Sequence, residues 1–190
     1  MKITQEFTVD RPVDAVWEFF GHVPEVARCL PGAELTEDLG DGVYAGKLEA
    51  KLGPMAVSFD GKATVTRDEE ARSGHIDGSG ADRRGGSRGR VKVDYSLVEA
   101  EAGTTVTVDA DVTLSGPAAQ FGRVGLIKEM SSRLIGDFVT CLESKLDAET
   151  AEEAEAIQAG EVQGGSLFFG SLWAQVKAFF RRLFGRSDEL

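Results

Sequence analysis

Apolar and polar residues alternate with a period of two along most of the first 115 residues, which predicts a body built mainly of β-strands. Turn residues such as Asp41-Gly42, Gly53-Pro54 and Gly103 separate the alternating runs, so we expect consecutive strands to pair antiparallel. The runs cover 3–9, 44–52, 55–65, 91–97 and 106–114.

Helical periodicity occurs in three places. Pro12 can open a helix in which Val13, Val16, Trp17 and Phe20 share a face. A second short helix is predicted at 25–30, before Pro31-Gly32. A long helix is predicted from 115–117 to about 146, with an apolar face made of Ile127, Met130, Leu134, Phe138 and Cys141.

This order of elements predicts the α+β class. A single antiparallel sheet with all its helices on one face would bury every apolar stripe, provided that the sheet curls around the long last helix. We therefore predict a curved antiparallel sheet wrapped around a C-terminal helix.

The predicted inner face of the sheet is short of side-chain volume. Two interpretations remain open: the long helix packs closely on small residues, or the space is a pocket for an apolar ligand. Gly122 and Gly125, near the start of the long helix, are compatible with either. The small residues in the inward register are Gly46, Ala50, Gly61, Ala63, Gly78, Gly80, Gly89 and Ala110.

The segment 74–90 holds six glycines and four arginines. It lacks the GKS, GKT and GxGxxG patterns of phosphate-binding loops, so we favour a flexible hairpin whose arginines offset an acidic body. A docking patch for an acidic partner or lipid head groups, made of Arg83, Arg84 and Arg88, is the remaining alternative.

The last 25 residues have a different pattern from the body. Aromatic and aliphatic residues fall on one helical face and basic residues on the other, which is typical of a helix that lies in a membrane interface. Packing on the body or oligomerisation is the alternative. The predicted membrane-binding residues are Phe168, Phe169, Leu172, Trp173, Val176, Lys177, Phe179, Phe180, Arg181, Arg182, Leu183 and Phe184.

Charge divides the chain into the same regions. The formal net charge is −11, yet residues 166–190 carry four basic and two acidic residues. Residues 147–165 hold six acidic residues and no basic one, which indicates a solvated linker that is helical at most in its first half. We expect a domain at 1–146, a flexible linker at 147–165, a tail at 166–190, and no nucleic-acid binding by so acidic a body.

Residues for catalysis or metal binding are scarce. Cys29 and Cys141 lack CxxC partners and nearby histidines, so we expect no zinc site and two reduced structural cysteines in a cytosolic protein. His22 and His75 follow no recognisable catalytic pattern. The first ten residues lack the apolar stretch of a signal peptide, and no run of 18 apolar residues predicts a spanning helix.

Four segments resemble the CoxG family of carbon monoxide dehydrogenase subunits: FTVDRPVDAVWEFF, VPEVARCLPGAEL, KLGPMAVSFDGKATV and DADVTLSGPAAQFGR. The resemblance covers about residues 1–146. It implies the helix-grip fold of the START and pollen-allergen-like (SRPBCC) superfamily, with a hydrophobic cavity between sheet and helix, and so favours the pocket over close packing.

The resemblance also implies an accessory protein, not an enzyme, that recruits a molybdenum carbon monoxide dehydrogenase to the cytoplasmic membrane. Such an enzyme must pass electrons to the respiratory chain, so we expect the cavity to bind an isoprenoid quinone, menaquinone or ubiquinone, with no covalently bound cofactor. The protein would then be cytoplasmic and peripheral on the inner face of the membrane. The candidate ligand-binding residues are Trp17, Phe20, Met55, Phe59, Tyr95, Phe121, Met130 and Leu134.

Two alternatives differ in class. The protein could be a membrane anchor or assembly factor that carries no ligand. It could also be a cyclase or hydrolase acting on an apolar substrate, for example through a pocket pairing of Tyr95 with His75.

Overall fold

The computed structural model describes residues 1–52, 55–121, 124–148 and 151–158, apart from the side chains of residues 52, 55, 121–130, 151, 152 and 155. The predicted turn at Gly53-Pro54, the predicted tail and the end of the predicted linker lie outside the described residues.

Seven strands form one antiparallel sheet in the order β1-β7-β6-β5-β4-β3-β2. Each strand from β2 to β6 pairs with the next along the chain, and β1 pairs with β7, so β1 and β2 are the two edges. The antiparallel pairing of consecutive strands is as predicted. The strands are β1 (Lys2–Val9), β2 (Ala33–Gly40), β3 (Val43–Leu52), β4 (Met55–Asp68), β5 (Ser73–Asp82), β6 (Ser87–Ala100) and β7 (Gly103–Ser115).

Two of these strands were not predicted. β2 has several exposed acidic residues, including Glu34, Glu37 and Asp38, and little alternation. β5 was predicted as part of a flexible hairpin; the hairpin is present, but its first arm is a regular strand. Glycine weakens a strand locally, yet β5 has neighbours on both sides, so its backbone pairs with both β4 and β6.

Four α-helices accompany the sheet in the described residues: α1 (Val13–Gly21), α2 (Val23–Arg28), α3 (Val124–Asp147) and α4 (Ala151–Ala156). The long helix begins later than predicted, because a 3-10 segment at Gly116–Phe121 precedes it. Gly116 has a φ of 73°, which no α-helix accommodates, and the Ala118 amide donates to the side-chain Oγ of Ser87 at 3.0 Å. α4 lies within the predicted linker, and Ile157 packs against the body.

The main core fills one end of the sheet, where α1, α2 and the second half of α3 meet the strands. Aromatic rings hold it together, with Phe138 of α3 in edge contact with Phe7 at 6.3 Å and with Phe20 at 5.9 Å between ring centroids. The buried members are Val9, Val13, Val16, Trp17, Phe19, Phe20, Cys29, Tyr95, Leu97, Val106, Phe138, Cys141 and Leu142. We call this the closed end.

A much smaller core lies at the other end of the sheet. Val57 and Ala118 are buried there, with Ala50, Phe59 and Leu114 packed around them. We call this the open end, because Leu48, in the same inward register, remains 43% exposed.

The expectation of two reduced cysteines is wrong. Cys29, which caps the C-terminus of α2, and Cys141 of α3 form a disulfide with their Cα atoms 5.4 Å apart, inside the usual range. The two residues are 112 positions apart. Only the docking of α3 against α2 brings them together, so no local sequence pattern reports the pair.

Candidate ligand-binding site

The middle of the inner face of the sheet lies between the two cores and is lined by apolar side chains. Strand alternation points these residues inward, and cross-strand pairs such as Val93–Ala110 and Val91–Val112 place them side by side. Within the described part of the chain, these side chains are half-buried and belong to neither core. We define the middle of the inner face as Ile3, Ala63, Val91, Val93, Ala110 and Val112.

Small residues also occupy a row of inward positions beside the middle of the inner face. Gly46 of β3 pairs with Gly61 of β4, Gly61 pairs with Gly80 of β5, and Gly80 pairs in turn with Gly89 of β6. A Cβ at Gly89 would contact the Phe59 ring and Leu114, so side chains of the open-end core lie over this row. The middle of the inner face has the apolar lining that is typical of a small-molecule site.

The closed end supplies an aromatic wall. The Tyr95 ring lies 5.2 Å from Phe20 and 6.4 Å from Trp17, centroid to centroid. Burial raises the pKa of the Tyr95 hydroxyl; the Arg67 guanidinium lowers it, and the Glu69 carboxylate raises it further. The hydroxyl is thus held neutral at the edge of an apolar region.

Arg67 is the residue that sequence reasoning missed at this wall. Its guanidinium lies over the Trp17 ring at 4.0 Å and donates to the Trp17 carbonyl at 3.2 Å. The Trp17 indole in turn donates to Glu69 Oε2 at 2.6 Å. The signal in the sequence was the inward register of Arg67, two residues after Val65 on β4.

Four of the eight predicted ligand-binding residues have described side chains that lie on the helix-covered side of the sheet. Trp17, Phe20 and Tyr95 are buried at the closed end, and Phe59 packs at the open end. Leu134 is half-buried on α3. The side chains of Met55, Phe121 and Met130 lie outside the described residues, as do the predicted membrane-binding residues of the tail. Whether these residues bind a ligand stays a prediction.

The suggested pairing of Tyr95 with His75 is wrong. Tyr95 points inward, whereas His75 lies on the outer face, where its Nδ1 is 2.8 Å from Asp94 Oδ1. Adjacent positions on a strand face opposite sides, so the two side chains are separated by the sheet. A groove of about 390 Å³ on the outer face is lined by His75, Asp94 and Asp109 and also involves Tyr95 and Arg67, so it is not the predicted cavity between sheet and helix.

In the described residues, no group of three or more histidine, cysteine or carboxylate side chains is placed to hold a metal ion. None of the helices in that same part of the chain is long and apolar enough to cross a membrane.

The seven-stranded antiparallel sheet and the long helix α3 define the helix-grip fold. A conserved protein from Geobacillus kaustophilus is similar at a TM-score of 0.66 and 16% identity, over 77% of this chain and 95% of that one. The Zhui aromatase/cyclase from Streptomyces sp. R1128 is similar at a TM-score of 0.52 and 15% identity, over 77% and 93%. A protein from Thermus thermophilus is similar at 0.56 and 13%, over 75% and 97%. At such identities the likeness shows the fold alone, which is the predicted one.

The family follows from the sequence itself. Residues 6–147 match the family model of the carbon monoxide dehydrogenase CoxG subunit, and the chain belongs to that family. No curated protein sequence matches the chain significantly. The resemblance predicted from the four sequence segments is thereby confirmed.

Proposed function

We propose that this protein is an accessory subunit of a carbon monoxide dehydrogenase and that it holds an apolar molecule, an isoprenoid quinone, against the inner face of its sheet. Family membership supports the accessory role. The observation that carries the ligand proposal is the middle of the inner face, which is apolar and only half-buried between two cores.

These residues are only half-buried, so part of their apolar surface remains accessible. Burying an apolar side chain such as valine stabilises a protein by about 1.5–3 kcal/mol, so an apolar strip that stays partly accessible is unfavourable unless something covers it. An apolar ligand covers such a strip, and its binding then compensates for the incomplete packing.

The choice of a quinone rests on the partner. A carbon monoxide dehydrogenase releases electrons, and the membrane-soluble carrier that accepts them in a respiratory chain is an isoprenoid quinone. Its flat ring suits the aromatic wall of Trp17, Phe20 and Tyr95, and the polar groups of Tyr95 and Arg67 lie at that same wall. Its apolar chain suits the valine-rich middle of the inner face.

Membrane attachment is the second half of the proposal. The tail sequence places six aromatic residues on one helical face and basic residues on the other, so we propose that it rests on the inner leaflet of the cytoplasmic membrane. The Cys29–Cys141 disulfide stands against a cytoplasmic location, because thiols there are kept reduced. Reduced Cys29 and Cys141 in protein taken from its cells would support the cytoplasmic location, and an intact disulfide would contradict it.

We propose a carrier and not an enzyme. The separation of Tyr95 from His75 removes the one acid–base pairing that the sequence suggested. The similar aromatase/cyclase shares the fold, and a fold hosts many activities.

Native mass spectrometry of the full chain, with menaquinone and ubiquinone added, tests the ligand. Ala63→Phe places a ring in the middle of the inner face and should abolish quinone uptake. Thr64→Phe adds the same ring to the exposed outer face of the same strand and should leave uptake unchanged. If the unmodified protein binds no quinone but still brings the dehydrogenase to vesicles, it is a membrane anchor that carries no ligand.

A further inference from the structure

We propose that the β5–β6 turn is a docking surface for the phosphate groups of anionic phospholipids, and that it directs the open end of the inner face toward the membrane. The docking surface consists of Arg83, Arg84 and Arg88. This inference rests on the proposed function, since it describes how an apolar ligand would enter.

The turn that carries these arginines is held in one conformation. Asp82, 6% exposed, accepts hydrogen bonds at Oδ1 from the amides of Arg84 and Gly85, each at 2.9 Å. Gly86 has a φ of 68° and donates its amide to the Asp82 carbonyl at 2.9 Å. The arginines therefore project from a fixed backbone, which lowers the entropy lost when they bind.

The three arginines of the docking surface have no carboxylate partner among the described residues. All three are exposed, and none forms an ion pair within the described ranges. The Asp82 carboxylate beside them is occupied by backbone amides. Five other arginines each pair with an acidic side chain, namely Arg11, Arg28, Arg67, Arg72 and Arg90. In a chain of net charge −11, this turn is a local positive site that is free for an external anion.

The position of the turn connects it with the ligand route. Asp82 pairs with Ser87, and the Ser87 hydroxyl accepts the amide of Ala118, a buried residue of the open-end core. Leu48 pairs with Phe59 of β4, and the next residue, Asp60, pairs with Ala81, which precedes Asp82. The turn and the exposed Leu48 therefore lie at the same end of the sheet. A surface that binds the turn also faces the exposed apolar residues.

Phosphodiester head groups fit this surface better than an acidic protein does. Guanidinium groups bind phosphate oxygens in a fork geometry, and each basic residue close to an anionic leaflet contributes about 1 kcal/mol. A ligand that dissolves in the membrane must leave it where apolar protein surface meets lipid, which is at the open end. The cationic amphipathic pattern of the tail sequence predicts the same leaflet.

The test compares two full-length triple variants. Arg83→Gln, Arg84→Gln and Arg88→Gln remove the docking charges, whereas Lys2→Gln, Lys62→Gln and Lys92→Gln remove three exposed charges from the outer face of the sheet. Binding is measured by co-sedimentation with vesicles of phosphatidylcholine, with or without phosphatidylglycerol, and quinone uptake is followed from the same vesicles.

We expect the arginine variant to bind phosphatidylglycerol vesicles about tenfold or more weakly and to take up quinone from them more slowly. The lysine variant should behave like the unmodified protein, and all three should be alike on phosphatidylcholine alone. Equal binding of both variants to phosphatidylglycerol vesicles would overturn the proposal. So would an arginine variant that binds vesicles normally but loses affinity for the dehydrogenase, because the surface would then recognise an acidic protein.

Quinone uptake from neutral detergent micelles separates this proposal from the proposed function. The arginine variant should take up quinone from micelles as the unmodified protein does. If the unmodified protein takes up none, the carrier function is wrong, while the vesicle comparison still decides whether the turn binds phospholipid.

Discussion

At the scale of single residues, Gly74 and Tyr95 determine the shape of the closed end. Gly74 pairs with Tyr95 across β5 and β6, and the phenol ring lies over the Gly74 Cα. A Cβ at position 74 would collide with the Cζ, Oη and Cε1 atoms of that ring. Glycine is required here by a close approach, whereas Gly136 on α3 has open space where its Cβ would be.

Alanine at these two glycines should therefore change stability in opposite directions. Gly74→Ala should lower the free energy of unfolding by about 1–3 kcal/mol, because the Tyr95 ring must move in a packed core. Gly136→Ala should raise it by up to about 1 kcal/mol, because alanine favours a helix interior. Denaturant unfolding measures both. A neutral Gly74→Ala variant would mean that the ring does not rest on this strand.

The raised pKa of Tyr95 predicts how the free energy of unfolding changes at alkaline pH. Burial holds its pKa above the ordinary value, so the folded protein keeps a proton that the unfolded chain releases. The free energy of unfolding should thus be unaffected by this group below about pH 10 and should fall as the pH rises above it. Tyr95→Phe should flatten that fall in denaturant unfolding at alkaline pH. An equally steep fall in the variant would assign the effect to other groups.

At the scale of elements, the second half of α3 is fastened to α2 in two ways. The Cys29–Cys141 disulfide joins them covalently. Lys145, with its side chain 2% exposed, donates to Glu25 Oε2 at 2.6 Å and to the Ala154 carbonyl at 2.5 Å. The same ammonium group therefore connects α3 with both α2 and α4.

Removing the disulfide should strongly destabilise the body. Closing a loop of 112 positions restricts the unfolded chain, and Cys29→Ala with Cys141→Ala should lower the free energy of unfolding by about 4 kcal/mol. Denaturant unfolding with and without reductant measures the loss, and reductant should have no effect on the double variant. Two free thiols in protein trapped with a thiol reagent during cell lysis would contradict the bond in its native compartment.

Lys145→Met should release α4. The Ala154 carbonyl loses its donor and Glu25 keeps only Arg28, so we expect a loss of about 1–3 kcal/mol and faster amide exchange in 151–156. Glu25→Gln is the matched control, because it retains the bond from Lys145 to Ala154. Equal exchange of α4 in both variants would show that the carbonyl contact does not hold this helix.

At the scale of the whole molecule, the larger hydrophobic core and the proposed entry site for the ligand lie at opposite ends of the sheet. The larger core, the disulfide and the aromatic rings lie at the closed end, while the open end has two buried apolar residues among those described. Every buried residue of both cores falls within the first 142 positions. Most of the buried core thus lies at one end of the sheet, and the proposed ligand entry lies at the other end, where the core is smaller.

Deleting residues 166–190 should therefore leave the thermal midpoint and quinone uptake in solution unchanged, because no residue of either core is lost. The truncated chain should lose most of its binding to anionic vesicles, which a vesicle pull-down measures. A lower thermal midpoint would mean that the tail packs on the body. Unchanged vesicle binding would mean that the membrane contact lies elsewhere.

Most of the architecture could be predicted from local patterns. The alternation in 91–97 and 106–114, the helical face of Val13, Val16, Trp17 and Phe20, and the order of elements lead to the observed sheet and its helices. β2 was not predicted, because an edge strand with exposed Glu37 and Asp38 has little alternation of apolar and polar residues. β5 was not predicted as a strand, because its glycines interrupt the alternation of apolar and polar side chains. The backbone of β5 nevertheless pairs with both β4 and β6.

The sequence by itself determined the strand faces, the acidic body, the amphipathic pattern of the tail and the family, since each depends on residues close together in the chain or on their order. Only the tertiary structure decided that Cys29 meets Cys141, that Arg67 covers Trp17, and that Tyr95 and His75 lie on opposite faces. The physical reason is distance along the chain: alternation acts over a few residues, whereas these contacts depend on how helices and distant strands close on one another.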